Sequence, residues 1–185
     1  MIDGGPTRGD PVTTREQLPA ADRAHYDYIE ESRGGVRGPF CVLLQSPETA
    51  GLVGRVGGYV RFESALPDAT RELAILVTAR EWDATYEWAA HAPLSREVGV
   101  SEDAIDVVID DGNYADLPAE EALVVRFGRA LFREKAVPDS LFEDATARFG
   151  TRGVTDLTVT MGYYGLLACV CNAFDVRPAD ETPIG

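Results

Sequence analysis

Apolar side chains recur every three or four residues through most of the chain. The breaks between these runs carry helix punctuation, with proline at first-turn positions and glycine beyond last turns. The spacing predicts a first helix from about Pro19 to Ser32, with Ala24, Tyr28 and Ile29 as its apolar stripe and Gly34-Gly35 ending it. Residues 34–45 read as an ordered loop that packs Val42, Leu43 and Leu44 on the core. Residues 40–44 are strand-like in composition, but nothing nearby offers them a pairing partner. Ser46-Pro47-Glu48 opens the next helix, to about Phe62. Ser46 can cap free backbone N–H groups, Pro47 needs no donor in the first turn, and Glu48 suits the positive end of the helix dipole. Pro67 opens another, whose Leu73, Ile75, Leu76 and Val77 make a broad buried face up to about Arg80.

Asp83 is the expected N-cap of a helix that carries Tyr86, Glu87, Trp88 and His91, bends at Pro93 and stops at Gly99. Ser101-Glu102-Asp103 caps a short helix ending near Asp111. Pro118 opens an amphipathic one with Leu123, Val124, Phe127, Ala130 and Leu131 on its apolar face. Pro138 starts a further helix that runs to Phe149 before Gly150. The last, from about Arg152 to Phe174, is apolar on most sides and must be buried in the core or against a partner subunit. The chain therefore reads as all-α, with a single domain over residues 14–176. Residues 1–13, rich in Gly and Pro, form an expected flexible N-terminal tail, and residues 177–185 a C-terminal one.

At 185 residues and 45% hydrophobic, the chain can bury one sizeable core. Its 31 acidic against 17 basic residues give a net charge of −14, a surface that repels nucleic acid and anionic lipid. No apolar run reaches the roughly 18 residues that span a bilayer, and no signal-peptide pattern opens the chain, so a cytoplasmic protein without membrane partners is expected. The three cysteines fit neither a zinc site nor a disulfide framework. Cys169 and Cys171, two apart on a helix, point to different faces and make a poor redox pair. Gly51 to Gly58 lies inside a helical pattern, which favours close helix packing over a phosphate loop.

Only two histidines occur. His25, among Asp22, Arg23, Tyr26 and Asp27, reads as a structural residue. His91 follows Glu87 by four residues, which stacks the two side chains on one helix face. With apolar neighbours such as Ala84, Tyr86 and Trp88, such a carboxylate would be desolvated and its proton affinity raised. The same spacing also describes an ordinary surface ion pair, and spacing alone names no reaction. A metal site lacks the second histidine that a zinc hydrolase motif requires, so no metal is expected.

The segments Arg71-Glu72-Leu73-Ala74-Ile75-Leu76 and Tyr86-Glu87-Trp88-Ala89-Ala90-His91-Ala92-Pro93-Leu94 resemble the carboxymuconolactone decarboxylase family, which includes alkyl hydroperoxidase D. Gly38-Pro39-Phe40, Phe149-Gly150, Gly162-Tyr163-Tyr164 and Asn172-Ala173-Phe174 extend the resemblance over roughly residues 20 to 176. It implies an alkyl hydroperoxidase D-like bundle of about seven helices, assembled as a homo-oligomer, trimer or hexamer. The peroxidase branch of that family carries a Cys-x-x-Cys-x-x-x-His motif and an upstream glutamate. Aligned on His91, Ala84 and Glu87 stand at the two cysteine positions and Glu72 at the glutamate. Both thiols are absent, which argues against thiol peroxidase chemistry and leaves Glu72, Glu87 and His91 as an implied proton relay.

That relay resembles the decarboxylase side of the family, which needs acid–base groups and no cofactor. The expected function is a lyase acting on a small unsaturated lactone or carboxylic acid, with His91 delivering or relaying the proton, Glu87 as its partner and Glu72 completing the relay. An isomerase or hydratase using the same pair, and a non-catalytic oligomeric binding protein, remain open alternatives. Phe40, Trp88 and Tyr164 are candidates to line the substrate pocket. Arg33, Arg37, Arg71 and Arg80 are the arginines nearest in sequence that could receive an anion.

Overall fold

The computed structural model describes residues 5–184. Eight α-helices make up most of them: α1 (Arg23–Arg33), α2 (Pro39–Leu43), α3 (Pro47–Phe62), α4 (Asp68–Glu81), α5 (Thr85–Glu97), α6 (Glu102–Ile109), α7 (Ala119–Arg129) and α8 (Asp139–Phe174). The all-α expectation holds. One helix more than the seven implied by the resemblance arises because part of the expected 34–45 loop winds into α2, started by Pro39 in its first turn.

Two boundaries and one cap differ from expectation for local reasons. Residues 20–22 form a turn, with the Asp22 N–H donating to the Pro19 carbonyl at 2.9 Å, so α1 begins at Arg23. Asp83 does not cap α5: it sits in the left-handed region at φ 47° and its carboxylate accepts from Arg80 at 2.9 Å, so the helix starts at Thr85. Ser46 occupies the N-cap position of α3, but its hydroxyl pairs with that of Thr49 at 2.8 Å. Ser101 caps α6 as expected, accepting from the Ala104 N–H at 3.1 Å.

The two expected C-terminal helices run end to end as α8, interrupted at Gly150 (φ 68°, ψ 168°), the glycine predicted to stop the first. No uninterrupted apolar run reaches membrane length, but α8 is long and apolar enough to cross a bilayer by length and composition. Its Leu157, Met161, Tyr164 and Ala168 instead lie at the centre of the fold.

Both expected tails are docked where they are described. Gly5–Pro6 (β1) pairs antiparallel with Val176–Arg177 (β2). Val12 is buried, and its N–H donates to the Cys41 carbonyl at 2.8 Å. Ile184 is buried in the main core. Residues 1–4 of the expected N-terminal tail lie outside the described residues.

α4 is the axis of the molecule. Leu73, Ala74, Ile75 and Leu76 are all essentially inaccessible, so the helix is covered on every side over that turn. Burying each of the larger of these side chains contributes about 1.5–3 kcal/mol relative to leaving it exposed. α5, α6, α7 and the second half of α8 pack around α4 in one cluster. α1, α2 and α3 form a second layer against Ile75, Tyr163, Tyr164 and Leu167. The glycines of α3 serve close packing, as expected: a Cβ on Gly51 would overlap the His25 ring, and one on Gly57 would overlap the Tyr163 hydroxyl. His25 is thereby a packing residue between α1 and α3. Where the two layers meet, beneath Tyr164, the polar side chains of α4 and α5 come together.

Candidate active site

Glu72 projects from α4 and Glu87 and His91 from α5, and all three are buried. His91 Nδ1 lies 2.7 Å from Glu72 Oε2, and His91 Nε2 lies 3.9 Å from Glu87 Oε2. The imidazole is thus held between two carboxylates, one on each ring nitrogen. The residue-four spacing on α5 supplies one contact and the packing of α5 against α4 the other. A carboxylate this close to Nδ1 accepts its proton, which leaves Nε2 as the ring nitrogen turned towards Glu87. The Tyr164 ring meets the imidazole edge-on, with centroids 4.9 Å apart and planes at 85°. Behind Glu72, the Arg71 guanidinium lies 3.6 Å from Oε1 and also pairs with Asp68 at 2.8 Å.

The electrostatics of the two carboxylates differ by surroundings. Burial pushes the Glu87 carboxyl above the usual range, and the nearby His91, the Cys171 thiol and Arg61 pull it back only in part. Burial likewise raises the hydroxyls of Tyr86, Tyr163 and Tyr164, so these three stay neutral hydrogen-bonding groups. The raised Glu87 is the direction expected for a carboxylate walled by apolar and aromatic side chains.

Glu87 and His91 open onto a pocket of about 120 Å³. Its walls are Phe40 and Pro39 of α2, Tyr86 and Ala90 of α5, and Tyr163, Tyr164 and Leu167 of α8; Arg33, Arg37 and Arg61 complete it. None of these three arginines is ion-paired with a carboxylate among the described residues. Arg33 donates to the Gly54 carbonyl at 2.7 Å and stacks over the Phe40 ring at 4.4 Å, and Arg37 donates to the Gly34 carbonyl at 3.0 Å. In a chain carrying a charge of −14, three unpaired guanidiniums around one small pocket make a local cationic site. Gly38, at φ 54° and ψ −129°, gives the Tyr86 ring its place, since a Cβ there would overlap it.

The expected residues are therefore mostly brought together. Glu72, Glu87 and His91 converge, and Phe40 and Tyr164 line the pocket. Trp88 does not: one residue on from Glu87, about 100° around the helix, it is turned into the main core and is 1% exposed. Of the four arginines, Arg33 and Arg37 reach the pocket, Arg71 stands behind Glu72, and Arg80 pairs with Asp83. Sequence reasoning missed Arg61 and Tyr163 as pocket residues. It also missed Cys171, whose Sγ lies 3.7 Å from Glu87 Oε1. The opposite exposure of Cys169 and Cys171 follows their helical spacing, but that spacing gave no hint of a partner 84 residues away.

No curated protein matches the chain in sequence at a significant level. Among solved structures, the apo form of the debrominase Bmp8 is similar, with a TM-score of 0.68 at 12% identity over 94% of this chain and 92% of that one. A cysteine-to-alanine variant of Bmp8 in complex with 2,3,4-tribromopyrrole gives 0.71 at 12% identity, over 96% and 95% of the two chains. At that identity the similarity establishes a shared fold. Residues 47–128 match the model of the carboxymuconolactone decarboxylase family. That segment runs from the start of α3 into α7 and holds Glu72, Glu87 and His91, so the candidate site lies inside the part of the chain that is similar to the family.

Proposed function

We propose that this pocket is the active site of a cofactor-independent carboxy-lyase that acts on a small unsaturated lactone or carboxylic acid by proton relay. The observation that carries the reading is the His91 imidazole held between Glu72 and Glu87 on the wall of an arginine-lined pocket. The guanidiniums of Arg33, Arg37 and Arg61 attract and orient an anionic substrate. The carbon–carbon bond to its carboxylate breaks, CO2 leaves, and the bonding pair moves into the conjugated system. A carbon then takes a proton from Glu87, whose proton affinity burial raises, and His91 passes in its replacement. One carboxylate and one proton become one C–H bond and CO2. Glu72 holds the imidazole in a single tautomer throughout.

A thiol-based reaction fits the pocket poorly. Cys171 is the thiol beside it, and burial together with the adjacent Glu87 pushes that thiol upward, away from the thiolate a nucleophile requires. The reading also includes self-association. Leu52 and Val56 on α3 and Val159 and Leu166 on α8 form an exposed apolar groove, the face we assign to a second copy of the chain.

The test is a panel of unsaturated lactones and enolisable acids with product analysis. A lyase releases CO2, whereas an isomerase or hydratase using the same groups does not. His91→Ala should cost about 10²- to 10⁴-fold in turnover while leaving the fold and assembly intact. Absence of turnover across the panel, or unchanged function in His91→Ala, would leave a binding protein as the better description.

A further inference from the structure

We propose that Cys171 is a positioning residue for the relay: its thiol holds Oε1 of Glu87, so that Oε2, the oxygen turned towards His91, carries the transferable proton. The inference rests on the acid–base reading of the pocket and adds a residue that neither the family motif nor the helix spacing indicates.

The geometry is specific. Cys171 Sγ lies 3.7 Å from Glu87 Oε1, within hydrogen-bond range for sulfur, while Oε2 faces His91 Nε2 at 3.9 Å. Both side chains are almost fully buried, and among the described residues the thiol is the one hydrogen-bond donor to Glu87. The charged and titratable groups around the carboxyl come from every neighbouring element. His91 and Tyr86 lie on α5, Glu72 on α4 and Arg61 on α3; Tyr163 and Tyr164 lie on α8, and Arg33 and Arg37 stand across the pocket. None of them hydrogen-bonds Oε1.

A thiol in this setting stays protonated, because burial and the neighbouring carboxylate both disfavour thiolate. It therefore acts as a donor, with its single hydrogen directed at Oε1. A carboxyl bearing its own proton on Oε1 would set two hydrogens against each other. The proton is consequently kept on Oε2, in line with the imidazole and open to the pocket. Without the thiol the two oxygens become equivalent to the proton, half of the protonated population points away from the relay, and the ionised form loses a donor.

The experiment follows the carboxylic C=O infrared band of Glu87 against pH in the full-length protein, with the band assigned by its loss in Glu87→Gln. In Cys171→Ala the protonation midpoint should rise by about 0.5 to 1 pH unit, the scale of one ordinary hydrogen bond. In Cys171→Ser, whose hydroxyl is a stronger donor, it should stay at or below that of the unmodified protein. With a turned-over substrate, Cys171→Ala should lose about twofold in kcat at nearly constant KM, as half of the protonated population turns away, and Cys171→Ser should restore it. An unchanged midpoint in Cys171→Ala, or a serine variant that behaves like the alanine one, overturns the assignment. The infrared measurement needs no substrate. A shifted midpoint in a protein that decarboxylates nothing therefore upholds the Cys171 contact and counts against the lyase reading alone.

Discussion

Replacing Glu87 with Gln should make the protein more stable at alkaline pH and less active, and the two effects have one cause. Glu87 is buried at the junction of α4, α5 and α8, and desolvation is the largest influence on its carboxyl, raising its proton affinity. The folded chain thus binds this proton more tightly than the unfolded chain, in which a Glu titrates near about pH 4.3. A group raised in the folded state contributes stability that is fully present below the unfolded value and is lost as pH rises through the folded one. Gln keeps the shape and an oxygen to accept from the Cys171 thiol, and it never ionises. The two proteins should therefore melt together in acid, and the variant should gain once Glu87 would have ionised. Relief of functional strain of this type is typically about 0.5–2 kcal/mol, which for a chain of this size corresponds to about 1–8 °C in Tm. Scanning calorimetry in steps from about pH 4 to 9 reads the divergence directly. Melting curves that stay parallel across that range, or a variant that is less stable at alkaline pH, would refute the claim that Glu87 is held as a desolvated acid.

Glu72→Gln should reduce turnover by more than about 100-fold with the fold intact. An amide facing His91 Nδ1 can donate where the carboxylate only accepts, which exchanges the tautomer; nitrogen chemical shifts of His91 report the change. Arg61→Gln should weaken binding of a small carboxylate about tenfold by titration calorimetry, and should also raise the Glu87 midpoint, which Arg61 holds down. Gly38→Ala should destabilise the fold by about 2–5 kcal/mol, because it combines a φ of 54° with overlap of the Tyr86 ring; urea unfolding with an unchanged slope measures it. Leu166→Glu, in the exposed groove between α3 and α8, should shift the assembly to a smaller species in sedimentation velocity.

The helices were legible because their signals are local. Pro47 sits in a first turn, Gly150 breaks α8, and the apolar positions of α4 fall where a buried helix needs them. The departures have near and distant causes. An aspartate before a helix is a good cap in general, but Asp83 is drawn to Arg80, and nothing in its neighbours reveals that choice. Both tails look flexible by composition, yet each is anchored by the other end of the chain or by the core, through the pairing of residues 5–6 with 176–177 and the burial of Ile184.

The site divides along the same line. Glu87 and His91 were visible because one helical turn joins them, and Glu72 was visible only through the resemblance, since 19 residues and a helix turn separate it from His91. Trp88 was misplaced because three- and four-residue spacing assigns a face but does not say which face meets the core. Arg61 and Cys171 come from α3 and α8, whose approach to α5 depends on small residues such as Gly57, where the Tyr163 hydroxyl fills the space a Cβ would need. A pattern along one helix cannot report that approach. The chemistry of the pocket accordingly has two origins: an acid–base pair written into α5, and a surrounding set of one thiol, two tyrosines of α8 and three arginines that tertiary packing delivers. Substitutions within α5 should change the rate of proton transfer, and substitutions in the surrounding set should change which anion is accepted and the pH at which transfer occurs. A variant such as Arg61→Gln that lowered the rate alone, with affinity and pH midpoint both untouched, would contradict that division.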